Sequence, residues 1–410
     1  MKRNVLTARQ VATRLGVKLE TVYAYVSRGA LRRTLADDGR TSRFDPAEVE
    51  RLARHGRPRA DTPRVGTVDV SMATAITEIH DDRLLFRGHD AVALAGSSTF
   101  EAVAELLWTG SLPPSPEWSG PPQGAGVAAA AVAALPESTP AIERLAVIAA
   151  ALACVHPLRT DLRPIAVLAH ARAMLASFVH LLPRVDGASN REPRARGLAH
   201  RLWPRVSSLP ATPERVAVLD AALVLLSDHE LATSTLAARV AASTRADPFA
   251  VVLAGLGAMS GPLHGKAALG VHRLFLRAAE TSPELAVACA IEGANQTLGF
   301  GHPVYRGVDP RAAFLLDAIA PLVSRDLRKR IDAVAAVASA GGAARPNVDF
   351  ALGAIAYALE MPVGATEAIF ATARTAGWIA HALEEYSEAP LRFRARAIYI
   401  GPEARGRGAH

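Results

Sequence analysis

The stretch GPLHGKAALGVHR, Gly261 to Arg273, follows an apolar run with glycines spaced through it. A histidine set between Pro-Leu and glycine, ahead of a helix-forming segment, has two readings. It is a turn residue satisfied by its surroundings, or a neutral imidazole aimed into a cleft. Taken alone the residue does not choose between them, so the choice falls to the rest of the chain.

The chain has 410 residues, room for two or three domains and for a core that needs no disulfide or metal staple. Half of it is hydrophobic while aromatics make up only 5%, and alanine is abundant. That balance favours closely packed helices over strands and predicts an all-α fold. The two cysteines, Cys154 and Cys289, lie in Ala/Val/Leu surroundings without CxxC spacing. They read as small core residues in a reducing compartment and argue against a zinc site. The N-terminus MKRNVLTARQ lacks an apolar signal core, and charge-free runs such as LAVIAAALACV, Leu145 to Val155, are too short to span a bilayer. A cytoplasmic protein with no membrane partner is expected.

The net charge of +7 is unevenly spread: residues 1 to 60 hold 14 Lys+Arg against 6 Asp+Glu, which leaves the other 350 residues close to neutral. A basic module joined to a neutral body suggests a polyanion-binding segment attached to something else. Within it, Thr7 and Gln10 form a capping-box signature, Val11 and Leu15 a helical stripe, and Gly16 a break. A second short helix is predicted from about Glu20 to Arg28, then a turn at Asp38-Gly39 and a last helix after Pro46. This order resembles the winged helix-turn-helix of MerR and excisionase-type proteins over about residues 1–55. The resemblance implies that Lys18, Thr21, Tyr25 and Arg28 face a DNA groove and that Arg40 and Arg43 reach phosphate. A small helical module that docks a protein or another subunit is the alternative.

RHGRPRADTPR, Arg54 to Arg64, is rich in proline and arginine and reads as a linker, placed at 56–66. From residue 67 to 410 the segments FEAVAELLWTG, ARAMLASFVHLLP and RVAVLDAALVLLSDHE carry apolar residues at three- and four-residue intervals and read as nearly buried helices. Four polar stretches interrupt this pattern at Gly/Pro turns: SDHELATST at Ser227, GPLHGK at Gly261, GFGHPVYRGVDPR at Gly299 and RPNVDFALGAI at Arg345. Turns on a rigid scaffold are where reactive groups are presented.

The set resembles the citrate synthase family. A PLHG turn, a GxGHxVY…DPR stretch, NVD at a helix start and an arginine ahead of GW occur here as Pro262 to Gly265, Gly299 to Arg311, Asn347 to Asp349 and Arg374 in ATARTAGW. The resemblance runs from about Thr74 to Tyr399. It implies a large helical domain with a smaller helical domain inserted at about 266–370, behind the winged helix. It also implies a Claisen-type condensation of acetyl-CoA with oxaloacetate, a step of the tricarboxylic acid cycle, by a homodimer without metal or cofactor. The implied catalytic groups are Asp349 as base, His264 as the enol-stabilising imidazole and His302 as the group that polarises the ketone. Oxaloacetate contacts fall on His229, Arg311, Arg374 and Arg394, the last supplied across the dimer interface. Arg306 and Phe370 fall on positions lining the substrate and CoA pockets.

The chemistry explains the residue types. A thioester α-proton is so weakly acidic that a carboxylate removes it only if a preorganised donor meets the developing enolate oxygen. Two carboxylates on a small keto acid call for forked guanidinium donors. Departures from the family pattern lie beside these groups: Lys266-Ala267-Ala268 stands where Gly-Ala-Asn is common, Pro303 where arginine is, and Ala395 where proline is. Two further readings stay open: 2-methylcitrate synthesis from propionyl-CoA, and a DNA-binding regulator whose synthase-like body senses oxaloacetate, citrate or acyl-CoA.

Overall fold

A computed structural model describes residues 6–15, 17–27, 31–35, 42–45, 49, 70–114, 116, 118, 125–188, 197–294, 299–302, 304–340 and 345–394. The chain divides into two compact units, Met1–Met72 and Ala73–His410. In the first, helices Ala8–Leu15 and Leu19–Ser27 accompany a small sheet in which Leu6–Thr7 and Thr34–Leu35 both pair antiparallel with Ser42–Phe44. The capping box forms reciprocally: the Thr7 N–H donates to Gln10 Oε1 at 2.8 Å, and the Gln10 N–H to Thr7 Oγ1 at 3.4 Å.

The core of this unit corrects one expectation. Tyr25 is buried with Val11, Val22, Leu31 and Phe44, because it lies three residues after Val22 on the apolar face of its helix. It is packing, not a groove-facing side chain. Lys18 and Arg43 are exposed and Thr21 is half-buried. Arg28 and Arg40 lie outside the described residues.

The second unit is helical for reasons visible in its sequence. Helix Pro248–Met259 has Asp247 as its cap, accepting the Phe249 and Ala250 N–H groups, and proline at the first turn where no backbone donor is needed. Helix Pro310–Ile319 repeats the device with Asp309, and Val348–Ala358 uses Asn347. The main core gathers Trp203, Leu219, Phe249 and Trp378 around the long helix Ala365–Ser387. A second core, formed by Val271, Phe275, Ile331 and Phe350 among others, joins helices Ala267–Glu280, Pro283–Ala294, Arg325–Ser339 and Val348–Ala358. Helix Val348–Ala358 contributes to both cores, with Leu352 and Ile355 in one and Phe350 and Ala354 in the other.

Two features depart from the sequence reading. The fold is predominantly rather than wholly helical: Thr77–His80, Arg83–Phe86 and His89–Asp90 form an antiparallel sheet whose Leu84 and Phe86 enter the main core. Cys154 is exposed, because it falls on the outward side of the last turn of helix Ala141–Val155. Among the described residues one helix, Pro164–Leu181, is long and apolar enough to cross a membrane, and half of it is buried inside the protein.

Candidate active site

The PLHG turn is built by backbone hydrogen bonds. The His264 N–H donates to Gly261 O at 3.1 Å and the Gly265 N–H to Met259 O at 3.0 Å. Residue 265 must be glycine, since a Cβ there would stand 2.5 Å from the Met259 carbonyl oxygen. The turn brings His264 Nε2 to 2.7 Å from Ser234 Oγ. Trp378 Nε1, which can only donate, gives its proton to the same Ser234 oxygen at 3.3 Å. Ser234 can give its own hydroxyl proton to His264 Nε2 while accepting from Trp378, and in that arrangement the imidazole proton stands on Nδ1. Burial, and after it the Arg374 charge, lowers His264 to about 4, so the ring is neutral near pH 7.

The second histidine sits on a loop held at both ends. Gly301 donates to Arg345 O at 2.8 Å, and Asn347 to Gly299 O at 2.9 Å, tying the His302 segment to the start of helix Val348–Ala358. Beyond it, Asp309 takes a forked pair from Arg311 at 3.0 and 2.8 Å and the Val348 N–H at 3.0 Å. His302 Nδ1 accepts the Val304 N–H at 3.1 Å, which places the proton of the neutral ring on Nε2. Its acidity is also set by burial first and then by the Arg311 charge, at about 4. His229 stands 4.9 Å from His302, ring centre to ring centre, and its Nε2 lies 3.0 Å from the Tyr305 hydroxyl. Burial and the Arg311 and Arg374 charges push His229 well below its ordinary value.

Asp349 occupies the first turn of its helix. Burial drives its carboxyl up to about 6, opposed by the charge of Arg311, raised further by Asp309 and opposed again by Arg374. Arg374 is fully buried; its Nε donates to Leu226 O at 2.8 Å and its guanidinium lies 5.0 Å from the Phe370 ring centre. Phe370 in turn meets His264 edge to face at 6.1 Å. His264, Phe370 and Arg374 thus adjoin one another, as do Arg311, Tyr305, His302 and His229, and Asp349 lies within electrostatic reach of Arg311 and Arg374. The group combines one carboxylate near neutrality, neutral imidazoles with assigned donor nitrogens, and two buried guanidinium groups. Such a set can take a proton from carbon, meet a developing oxyanion and hold a dianion.

Behind His229 lies a buried ionic relay. Asp228 Oδ2 accepts from Thr77 Oγ1 at 2.5 Å and from His381 Nε2 at 3.3 Å, and His381 Nδ1 accepts from Arg239 at 2.8 Å. Arg239 also meets Glu384 and Glu385, and Glu385 holds Arg392 in a fork at 2.6 and 2.7 Å. Among the described residues, no three histidine, cysteine or acidic side chains are gathered in a way that could hold a metal ion.

A family model for the citrate synthase C-terminal domain matches residues 66–396. The chain belongs to the citrate synthase family. It is 28% identical over 356 residues to a citrate/2-methylcitrate synthase of Bacillus subtilis, a match covering 82% of this chain and 95% of that one. A citrate synthase of Saccharolobus solfataricus is 35% identical over 202 residues, where the match spans 47% of this chain and 54% of the relative. Among solved structures, the citrate synthase of Thermotoga maritima superposes with a TM-score of 0.66 at 26% identity, covering 81% of this chain and 94% of that one.

Within this citrate synthase fold, the predicted site residues separate into three groups. His229, His264, His302, Arg311, Asp349, Phe370 and Arg374 share the cluster. Arg306 is exposed at its margin, with its backbone N–H on Asp82 at 2.8 Å. Arg394 is exposed on the segment that follows helix Ala365–Ser387. The sequence reading missed Ser234, Tyr305 and Asp309 as parts of the site. Tyr305 and Asp309 lie inside the GFGHPVYRGVDPR stretch and Ser234 inside SDHELATST, so all three stood in the stretches singled out, but nothing in SDHELATST distinguishes Ser234 from its serine and threonine neighbours.

Proposed function

We propose that this member of the citrate synthase family condenses acetyl-CoA with oxaloacetate to give citrate and free CoA, with Asp349, His264 and His302 as its catalytic groups. The observation that carries the reading is the raised Asp349 carboxyl set among two buried arginines and two neutral histidines. Asp349 removes the α-proton of the thioester, and the His264 Nδ1–H meets the enol oxygen as charge develops there. The His302 Nε2–H polarises the ketone of oxaloacetate, whose carboxylates go to Arg311 and Arg374, with Arg394 of a second copy in a homodimer. The carbon–carbon bond forms between the acyl α-carbon and the keto carbon, and the keto oxygen gains a proton. Water then cleaves the thioester and CoA leaves as a thiol.

Propionyl-CoA in place of acetyl-CoA would give 2-methylcitrate; an added methylene in an apolar pocket is worth only about 1–3 kcal/mol. Measuring CoA-thiol release with oxaloacetate and each thioester tests the reading. Release with acetyl-CoA at the higher kcat/KM supports it, a propionyl-CoA preference shifts it to the methylcitrate reaction, and no release with either overturns it.

A second reading concerns the basic N-terminal unit, proposed as a DNA-binding module. In its favour, Lys18 and Arg43 are exposed beside two short helices and a small sheet. Gel-shift binding to duplex DNA should weaken steeply with salt, and Lys18→Glu and Arg43→Glu should lower the affinity and flatten that salt dependence; salt-independent binding, or none, would leave a docking element.

A further inference from the structure

We propose that Asp82 is a positioning residue whose carboxylate latches the loop carrying His302 and Tyr305 by the N–H groups of Arg306 and Gly307. The inference rests on the synthase reading of that loop. Strands Thr77–His80 and Arg83–Phe86 are joined by a two-residue turn, Asp81-Asp82, with His80 paired to Arg83. Both turn residues are left-handed, with φ of 49° and 59°. A right-twisted hairpin favours this geometry, and an Asn-Gly or Asp-Gly pair ordinarily supplies it. Aspartate is tolerated at positive φ, yet glycine at position 82 would make the same turn with less strain. Turn geometry alone therefore does not account for a carboxylate at 82.

Its contacts do. Asp82 Oδ1 accepts the Arg306 N–H at 2.8 Å, and Oδ2 accepts the Gly307 N–H at 2.9 Å. Two successive backbone amides converge on one anion, each oxygen taking one, and the bonds are charge-assisted. The absence of a side chain at 307 permits the approach: a Cβ there would stand 3.0 Å from Oδ2. Tyr305 directly precedes this pair, its ring 4.8 Å from that of His302 and its hydroxyl on His229. The Asp82 charge is also one of those that push the Tyr305 phenol upward. Gly301 anchors one end of the loop to Arg345 and Asp309 fastens the other, while Val304, Arg306, Gly307 and Val308 between them are exposed. The hairpin supplies the hold on this middle stretch.

The test compares Asp82→Gly and Asp82→Asn with the unsubstituted full-length protein. Glycine suits the left-handed turn and offsets part of what the two lost bonds contribute, so the melting temperature of Asp82→Gly should stay close to that of the parent. The latch is lost, so KM for oxaloacetate should rise about tenfold or more while KM for the acyl-CoA changes less. Amide hydrogen exchange at Arg306 and Gly307 should quicken. Asparagine keeps one carbonyl acceptor and should fall between the two. Unchanged oxaloacetate KM with unchanged exchange in Asp82→Gly overturns the latch, as does a fall in melting temperature with kcat and both KM values worsening together, the mark of a purely structural turn. Absence of CoA release by the parent protein overturns the synthase reading instead, and the exchange rates at Arg306 and Gly307 are read independently of it.

Discussion

Asp349 is the residue on which the proposed chemistry turns. An aspartate at its ordinary value would be too weak a base for a thioester α-proton, and burial moves this one up to about 6. The base works only when ionised, so kcat/KM for the acyl-CoA should fall as pH drops through about 6, with a slope of one proton. His264 and His302, each at about 4, are already neutral across that window and add no limb above pH 5. A pH–rate profile checks this: an acid limb centred near pH 4, or none down to pH 5, contradicts the assignment. Most of these residues were legible as motif members because each stands in a short string of Gly, Pro and polar residues. Ser234, although it stands in SDHELATST, and Asp82 showed no role there, since those roles come from contacts with segments 30 and 224 residues away. Tyr25 was misread for the opposite reason: its type suited DNA, but its spacing from Val22 belonged to the core.

At the scale of the element, side-chain caps account for helix starts such as Pro248, Pro310 and Val348, and one pair of carboxylates at helix starts has a consequence for stability. Glu101 Oε1 accepts the Leu198 N–H at 2.5 Å, and Asp220 Oδ1 accepts the Phe100 N–H at 3.0 Å. Burial, and then the nearby Glu101 charge, raises Asp220 to about 7; Glu101 is itself raised by burial and lowered in turn by Arg201. The folded state thus holds the Asp220 proton more tightly than the unfolded chain does. As pH rises from about 4, where the unfolded carboxyl ionises, to about 7, where the folded one does, this group costs stability, and above that the loss is constant. Asp220→Asn keeps an acceptor for Phe100 without the ionisation. Its melting temperature should exceed the parent's by roughly 2 °C or more at pH 8, and by less at pH 5. A gap that does not widen with pH contradicts the account. The helices were legible from their apolar spacing and caps, whereas the sheet at Thr77–Asp90 was not: its first turn is Asp-Asp, without the glycine that marks a hairpin, and its second, Arg87-Gly88, leads into a strand of only two residues.

For the whole molecule, the decisive fact is that the cluster draws on both cores. His264 precedes the first helix of the second core, Asp349 stands on the helix shared by both, and Arg374 rides the long helix of the main core. Arg311 and Arg374 both stand on helices of the main core, so a keto acid held between them would be fixed to that core. The sequence revealed this partnership only through the order of four turns, since periodicity alone says which helices are buried and not which of them meet. The central claim is that one carboxylate begins the condensation while the arginines hold the second substrate. It is tested most directly by Asp349→Ala, with CoA release measured alongside calorimetric oxaloacetate binding. The account predicts turnover reduced by about a thousandfold or more with oxaloacetate affinity within a few fold of the parent; a near-normal rate of CoA release would contradict it.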